Sequence, residues 1–199
     1  MDRVRASECM KSAVNGGPPL QGVETLVVPA LDRIGEMWAE GGVALSQVYM
    51  SGRICEELVD QILPPASPSR KRQPRMAIAV LEDQHLLGKR IVYAILRASG
   101  YELEDYGAVE LDTLVTRALD DDIELLLVST LMLPAALRVA DLVSALKEAG
   151  SDCRVVVGGA PFTLTEDLWK DVGAYAMGAT ATDAIELASA WRDDGGGQQ

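Results

Sequence analysis

The sequence predicts an α/β protein in two parts, a helical N-terminal unit followed by an open, doubly wound parallel sheet of five strands. Three observations carry this. From Met76 onward, short apolar runs alternate with amphipathic stretches, as they do in strand–helix–strand units with right-handed crossovers. Before residue 64 only helical periodicity is found. Between the two parts lies Pro64-Pro65-Ala66-Ser67-Pro68-Ser69-Arg70-Lys71-Arg72-Gln73-Pro74-Arg75. Its prolines forbid helix and its charges favour solvation, so residues 64–75 read as a linker. The basic cluster is better explained as a solvated tether than as a phosphate-contacting patch.

The elements follow in order. Ser7 to Val14 forms a short helix, stopped by Asn15-Gly16-Gly17-Pro18-Pro19. Val23 to Glu40 sets Leu26, Val27, Ala30, Leu31, Ile34, Met37 and Trp38 on one stripe, with Pro29 as a kink and Gly41-Gly42 as the stop. Val43 to Leu63 is a further amphipathic helix, so residues 1–63 make a unit of about three helices. Met76 to Leu81 is the first strand, apolar throughout as a buried strand is. A helix spans Lys89 to Ser99, with Gly100 at its C-terminal cap. Tyr101 to Tyr106 alternates polar and apolar residues like a more exposed strand. Leu111 to Leu119 is a helix, and Asp120-Asp121-Asp122 a solvated turn rather than a metal site, because it precedes a strand. Leu125 to Val128 is a buried strand, Pro134 to Ala149 a helix capped by Gly150, and Arg154 to Val157 another buried strand. A short helix at Glu166 to Asp171, a strand at Ala174 to Met177 and a helix at Thr182 to Trp191 complete the domain, residues 76–193. Residues 194–199 read as a disordered tail. At this size the flavodoxin-like strand order is the natural one.

Composition narrows the function. A chain of 199 residues with 48% hydrophobic content can bury a real core. A net charge of −12 argues against a nucleic-acid binder, which needs a basic face, and against an anionic membrane surface. No apolar run approaches the ~20 residues of a membrane span, and no signal-peptide core is seen at the N-terminus. Cys9, Cys55 and Cys153 are odd in number and widely spaced, which reads as buried reduced thiols in a cytoplasmic protein.

Open α/β sheets bind ligands outside the carboxyl ends of their strands. The first strand is followed there by Asp83, His85 and Gly88, the third by Ser129-Thr130-Leu131, the fourth by Gly158-Gly159-Ala160-Pro161, and the fifth by Gly178-Ala179-Thr180. His85 is the only histidine in the protein. A lone histidine is as readily structural as functional, and its position favours function. The Ser129 and Thr130 hydroxyls are expected in the same crevice, and the glycines clear space for a ligand. The edge carries almost no positive charge, no GxGxxG and no P-loop lysine, which is wrong for a nucleotide. A phosphoacceptor aspartate ending the third strand is also missing, since Ser129 stands there.

Asp83-Gln84-His85-Leu86-Leu87-Gly88, Ser129-Thr130-Leu131 and Gly158-Gly159 resemble the DxHxxG…SxL…GG signature of cobalamin-binding domains. The N-terminal half resembles the helical cap that precedes this domain in methyltransferase corrinoid proteins and in methionine synthase. The resemblance implies base-off, His-on binding of cobalamin or a related corrinoid. His85 would replace the displaced base as lower axial ligand to cobalt, and the nucleotide tail would run into a slot beside the sheet. Cobalt(III) favours six ligands and cobalt(I) few, so His85 must both bind and let go. Asp83 is the implied partner of the other ring nitrogen, tuning ligand basicity and proton uptake. Leu86, Gly88, Leu131 and Gly178 join the implied cofactor-binding set, Ser129 resembles the serine that bonds the tail base, and Gly158 and Gly159 let the tail in.

Two departures concern the cap. Corrinoid-protein caps usually have four helices and this one shows about three, so some of the surface of Leu26, Leu31, Ile34, Leu45, Val48, Leu58 and Ile62 is expected to stay exposed, and the helical half to pair in a homodimer or dock on its methyltransferase. Trp38 stands where light-sensing cobalamin repressors carry a tryptophan. It is either an upper-face shield or a core aromatic. Val48 and Tyr49 occupy the positions of the repressors' Glu-His pair, so no second histidine is available for the upper face. The implied function is a methyl carrier between a substrate-specific methyltransferase and an acceptor methyltransferase, with a reductive activase as a further partner and a homodimer through the cap. A cobalamin-sensing regulatory module and a corrinoid storage protein are the alternatives.

Overall fold

The structure, a computed structural model, describes residues 2–15, 19–62 and 73–195. Its helices are α1 (Arg3–Val14), α2 (Pro19–Ala39), α3 (Leu45–Ile62), α4 (Leu87–Ala98), α5 (Leu111–Asp120), α6 (Leu133–Glu148), α7 (Ala160–Leu164), α8 (Leu168–Asp171) and α9 (Asp183–Gly195). The strands are β1 (Met76–Leu81), β2 (Glu104–Val109), β3 (Leu125–Ser129), β4 (Arg154–Gly158) and β5 (Ala176–Gly178). Contacts divide the chain into two compact units, residues 1–71 with 90–102, and residues 72–89 with 103–199.

In the helical unit α2 carries Pro29 in its interior and still runs unbroken to Ala39. Its end is closed by the two glycines expected there. Gly42 N donates to Met37 O at 2.7 Å and Gly41 N to Trp38 O at 2.9 Å, a paired C-terminal closure. Of the stripe expected to remain exposed, Leu31, Val48 and Leu58 are buried, Leu26, Ile34 and Ile62 are half-buried, and only Leu45 is exposed. The long helix α4 brings Arg90 to Glu56 at 3.3 Å and Arg97 to Asp60 at 3.7 Å within this unit.

The second unit is built on a five-stranded parallel sheet in the order β2-β1-β3-β4-β5, the flavodoxin-like order. Ala77, Ala79 and Leu81 of β1, Leu126 and Val128 of β3, and Val155 and Val157 of β4 enter one core with Leu114, Val139, Leu142, Leu146 and Phe162. Each fully buried Leu, Val or Phe of this set contributes about 1.5–3 kcal/mol, and the alanines less. A one-residue slip of any strand would turn that set to the opposite face, so the register is strongly held.

Several boundaries differ from the sequence reading. The second strand begins at Glu104, three residues late, and continues to Val109. Tyr101 belongs instead to the closure of α4, where its amide donates to Leu96 O at 2.9 Å. Gly107 does not end the strand. It takes φ +72° at a bulge opposite Ile78 and Ala79, with its amide held by Asp105 Oδ1 at 2.8 Å. The short helix expected at Glu166 to Asp171 is only α8, and α7 precedes it. α9 continues to Gly195, into the stretch expected as a tail, and residues 196–199 lie outside the described residues. Residues 64–72 of the expected linker also lie outside them. Its last residue, Arg75, is tied down: its amide donates to Glu124 Oε2 at 2.8 Å and its carbonyl accepts from Leu125. Cys9 is exposed rather than buried. Burial pushes the Cys55 thiol up to about 11 and the Cys153 thiol up to about 12, as inert thiols require. Of the acidic run, Asp120 ends α5 and only Asp121 and Asp122 form the turn, with Asp121 accepting from the Tyr106 hydroxyl.

Candidate cofactor site

The site is built on the carboxyl end of β1. Glu82 follows the strand in a left-handed conformation, φ +45°. Asp83 comes next, its side chain 2% exposed, and uses both oxygens. Oδ1 accepts from the His85 amide at 3.1 Å and from His85 Nδ1 in a short contact. Oδ2 accepts from the Leu131 and Met132 amides at 2.9 and 3.1 Å. Burial pushes this carboxyl up, but the Leu131 amide, His85 and the Met132 amide outweigh it and hold its pKa at about 2. Asp83 is therefore an anion at neutral pH. With Nδ1–H donating to it, His85 presents Nε2 as a lone-pair donor, on a side chain 53% exposed.

The loop that Asp83 holds carries its own apolar surface. Leu131, Met132 and Leu133 are 46%, 52% and 49% exposed. Apolar side chains tied to the same carboxylate as an outward-facing imidazole form a platform suited to a broad, flat ligand.

A second feature lies in the sheet itself. Val80, Ser129, Gly158 and Gly178 stand in register across β1, β3, β4 and β5, one row at the carboxyl edge. Residues of one row share a face, and here the side chains shrink to nothing. A Cβ on Gly158 would meet Gly178 O at 3.3 Å, and one on Gly178 would meet Thr180 O at 3.3 Å. A Cβ on Gly88 would meet Ser129 Oγ at 3.1 Å. The row thus has no side chain at Gly158 or Gly178, where neighbouring backbone approaches closely, and the Ser129 hydroxyl stands beside it.

Thr130 and Gly159 have packing roles of their own. The Thr130 hydroxyl is buried and has no hydrogen-bond partner, so it does not share an open crevice with Ser129. Gly159 is required to be glycine by the backbone itself. At φ +116°, a Cβ there would run into the Thr130 carbonyl, 2.9 Å from its carbon, so the β3 and β4 loops can approach only because residue 159 is glycine. Leu86 is half-buried in the loop after His85. Trp38 lies in the helical unit and is 50% exposed, which excludes the core-aromatic reading.

Sequence reasoning missed Asp183. Its carboxylate accepts from the Ala179 and Thr180 amides at 2.8 and 2.9 Å, while Thr180 Oγ1 accepts from the Asp183 amide at 3.3 Å. This reciprocal box shapes the loop after Gly178, and the Thr-x-x-Asp spacing signals it. Glu82 and Arg138 were also missed, and no local pattern marks them.

Among the described residues no three His, Cys, Asp or Glu side chains converge to hold a metal. One imidazole cannot retain a bare ion. It suits a metal whose other positions a macrocycle already fills. A family profile described as a B12 binding domain matches residues 76–189, and a second so described matches residues 1–63. The chain belongs to the B12-binding domain family. Its cofactor is a cobalamin or a related corrinoid, and the single imidazole and the apolar platform fit such a group. The B12-binding chain is similar along nearly its whole length to Trimethylamine corrinoid protein 1 of Methanosarcina mazei, 26% identical over 197 residues, covering 95% of this chain and 90% of that protein. The solved monomethylamine corrinoid protein of Methanosarcina barkeri superposes with a TM-score of 0.61 at 26% identity, covering 93% and 90%. The methanol:cobalamin methyltransferase complex MtaBC of the same organism shares the fold, with a TM-score of 0.63 at 21% identity over 96% of this chain and 75% of that one.

Proposed function

We propose that this protein is a methyl-carrying corrinoid protein, working between a methyltransferase that supplies the methyl group and one that removes it. The observation that carries the reading is the Asp83–His85 pair, a buried carboxylate fixing an outward-facing imidazole at the edge of a parallel sheet. When bound, the corrinoid supplies a cobalt that takes up and releases a methyl group. The chain's residues do the rest. His85 Nε2 would hold the cobalt, and Asp83 would keep the proton on Nδ1, so the donor strength of the ring would follow that proton's position. Leu131 and Met132 would lie against the ring system and keep water from it. Ser129 Oγ would bond the tail base beside Gly158, Gly178 and Gly88, which carry no side chains. Trp38, an exposed indole, is available to shield the upper face. The names of the relatives, methylamine corrinoid proteins and a methanol:cobalamin methyltransferase complex, support methyltransferase partners. A reductive activase would restore cofactor lost to oxidation. We propose a division into a cap at residues 1–63, a tether at 64–75 and a cofactor domain at 76–193. No described helix is long and apolar enough to cross a membrane, and a cytoplasmic location is part of the proposal.

The cobalt(II) EPR spectrum of the loaded protein is expected to show nitrogen superhyperfine splitting that is absent in His85→Ala. Identical spectra would remove His85 as the ligand. Carrier activity is tested by reducing the loaded protein and offering methyl donors with candidate methyltransferases. A reduced protein that no combination methylates would overturn the carrier role.

A further inference from the structure

Glu82, immediately before Asp83, follows the end of β1 but is not part of the proposed cofactor-binding set. It is a non-glycine residue at φ +45°, a conformation costing on the order of 1 kcal/mol for a residue of this kind. Its surroundings repay that cost. Its amide donates to Val109 O at 2.9 Å at the end of β2. Its carboxylate meets Arg138 of α6 side-on, with Nε donating to Oε2 at 3.0 Å and Nη2 to Oε1 at 3.3 Å. Oε1 also accepts from the Leu111 amide at 3.4 Å, the first residue of α5, whose own N-cap residue Glu110 supplies no side-chain cap. The Arg138 guanidinium beside it holds the Glu82 carboxyl below its ordinary range, so the residue stays charged. Arg138 is steadied in turn by Asp141.

These contacts complement those of Asp83. Asp83 grips the amides leading into α6, and Glu82 grips Arg138 further along the same helix. Two adjacent carboxylates of β1 therefore fasten its end to α6 at two points, and the peptide between them is the one that aims Asp83 at His85. A single fastening would leave this turn free to rotate about the Asp83 contacts.

We propose that Glu82 and Arg138 are positioning residues for the lower ligand: their ion pair holds the left-handed turn that presents Asp83 to His85, and thereby sets how firmly the imidazole holds the cobalt. The inference rests on His85 being that ligand. Loss of the pair is expected to loosen the ligand and not to unfold the chain, because both side chains are partly exposed, 24% for Glu82 and 43% for Arg138, and exposed pairs contribute little to stability.

The test uses the full chain loaded with cobalamin. Glu82→Gln keeps the shape and the acceptor for Leu111 but loses the charge. Arg138→Gln removes the other partner, and Arg138→Lys restores a cation. The readouts are the cobalt(II) EPR spectrum, the cobalt(II)/cobalt(I) midpoint potential, corrinoid retention and the thermal melt of the apo-protein. Glu82→Gln and Arg138→Gln are expected to weaken the nitrogen splitting, raise the potential and lower corrinoid affinity by about tenfold, the scale of losses seen on removing outer-shell partners of a metal ligand. The apo-protein melts are expected to stay near wild type, Arg138→Lys to recover part of the loss, and the double variant to be no worse than either single one. If His85→Ala alters the EPR spectrum while both Gln variants keep wild-type spectrum and potential, the positioning role is wrong and the ligand assignment stands. If His85→Ala itself leaves the spectrum unchanged, the failure belongs to the ligand assignment. A large drop in apo-protein melting with an unchanged spectrum would make the pair structural only and overturn the proposal.

Discussion

Asp83 accepts four hydrogen bonds on two oxygens, from the ring and amide of His85 and from the amides of Leu131 and Met132. An asparagine there keeps one oxygen. It must abandon either the imidazole or the loop, and its NH2 group then faces donors. Asp83→Asn is therefore expected to destabilise the apo-protein by about 2–3 kcal/mol, read as a lower urea midpoint, because hydrogen bonds to a charged acceptor are the stronger kind. The same carboxylate predicts a pH response. Its folded pKa, near 2, lies below the ordinary aspartate value, so its contribution is complete above about pH 4 and is lost as the pH falls toward 2. Urea melts of the apo-protein at stepped pH should show this acid loss in the wild type and a shallower one in Asp83→Asn. Equal pH slopes would mean that other carboxylates govern acid unfolding.

The connections at the carboxyl edge separate two kinds of glycine. Gly158 and Gly178 have ordinary backbone conformations on a sheet row, and a built Cβ would meet its nearest neighbour tightly but without overlap, at 3.3 Å. Gly159 is needed because its φ of +116° and the Thr130 carbonyl leave no place for a side chain. Gly158→Ala is expected to cost about 1 kcal/mol of stability and to give an apo-protein that folds but retains less corrinoid on gel filtration. Gly159→Ala should instead lower stability by about 3 kcal/mol or more, combining backbone strain with a backbone clash. A well-folded Gly159→Ala apo-protein with a wild-type melt would refute that distinction. The same contrast explains β2. Gly107 looks like a terminator when read locally, but in the sheet it is the bulge that keeps Tyr106 buried and Val109 beside Leu81.

Over the whole molecule the net charge of −12 and the largely covered stripe of the helical unit bear on assembly. The expectation of a cap dimer relied on that stripe being open, and of its seven residues only Leu45 is exposed. Chains of high like charge also repel one another. The exposed apolar side chains of the second unit include Leu131 to Leu133, which the proposed function assigns to the cofactor, and Leu137, Leu164 and Tyr175. Sedimentation should accordingly show a monomer when the protein is alone and loaded, and a heavier complex only with a methyltransferase partner. A dimer persisting at micromolar concentration would revive the self-association reading.

The sequence by itself determined the order of helices and strands, because periodicity acts within a few residues. Chain size and the strand–helix alternation pointed to the flavodoxin-like order. Asp83, His85, Ser129, Gly158 and Gly178 stood out as a motif through resemblance to cobalamin-binding domains, and the structure sets Asp83 against His85 and the other three in one row of the sheet. What only the tertiary structure decided is which distant groups meet: Asp83 with amides 48 and 49 residues downstream, Glu82 with an arginine 56 residues away, and Gly159 against the Thr130 carbonyl. Such meetings follow from strand register and helix packing, which are settled by burial over the whole core and leave no mark in a local stretch of sequence.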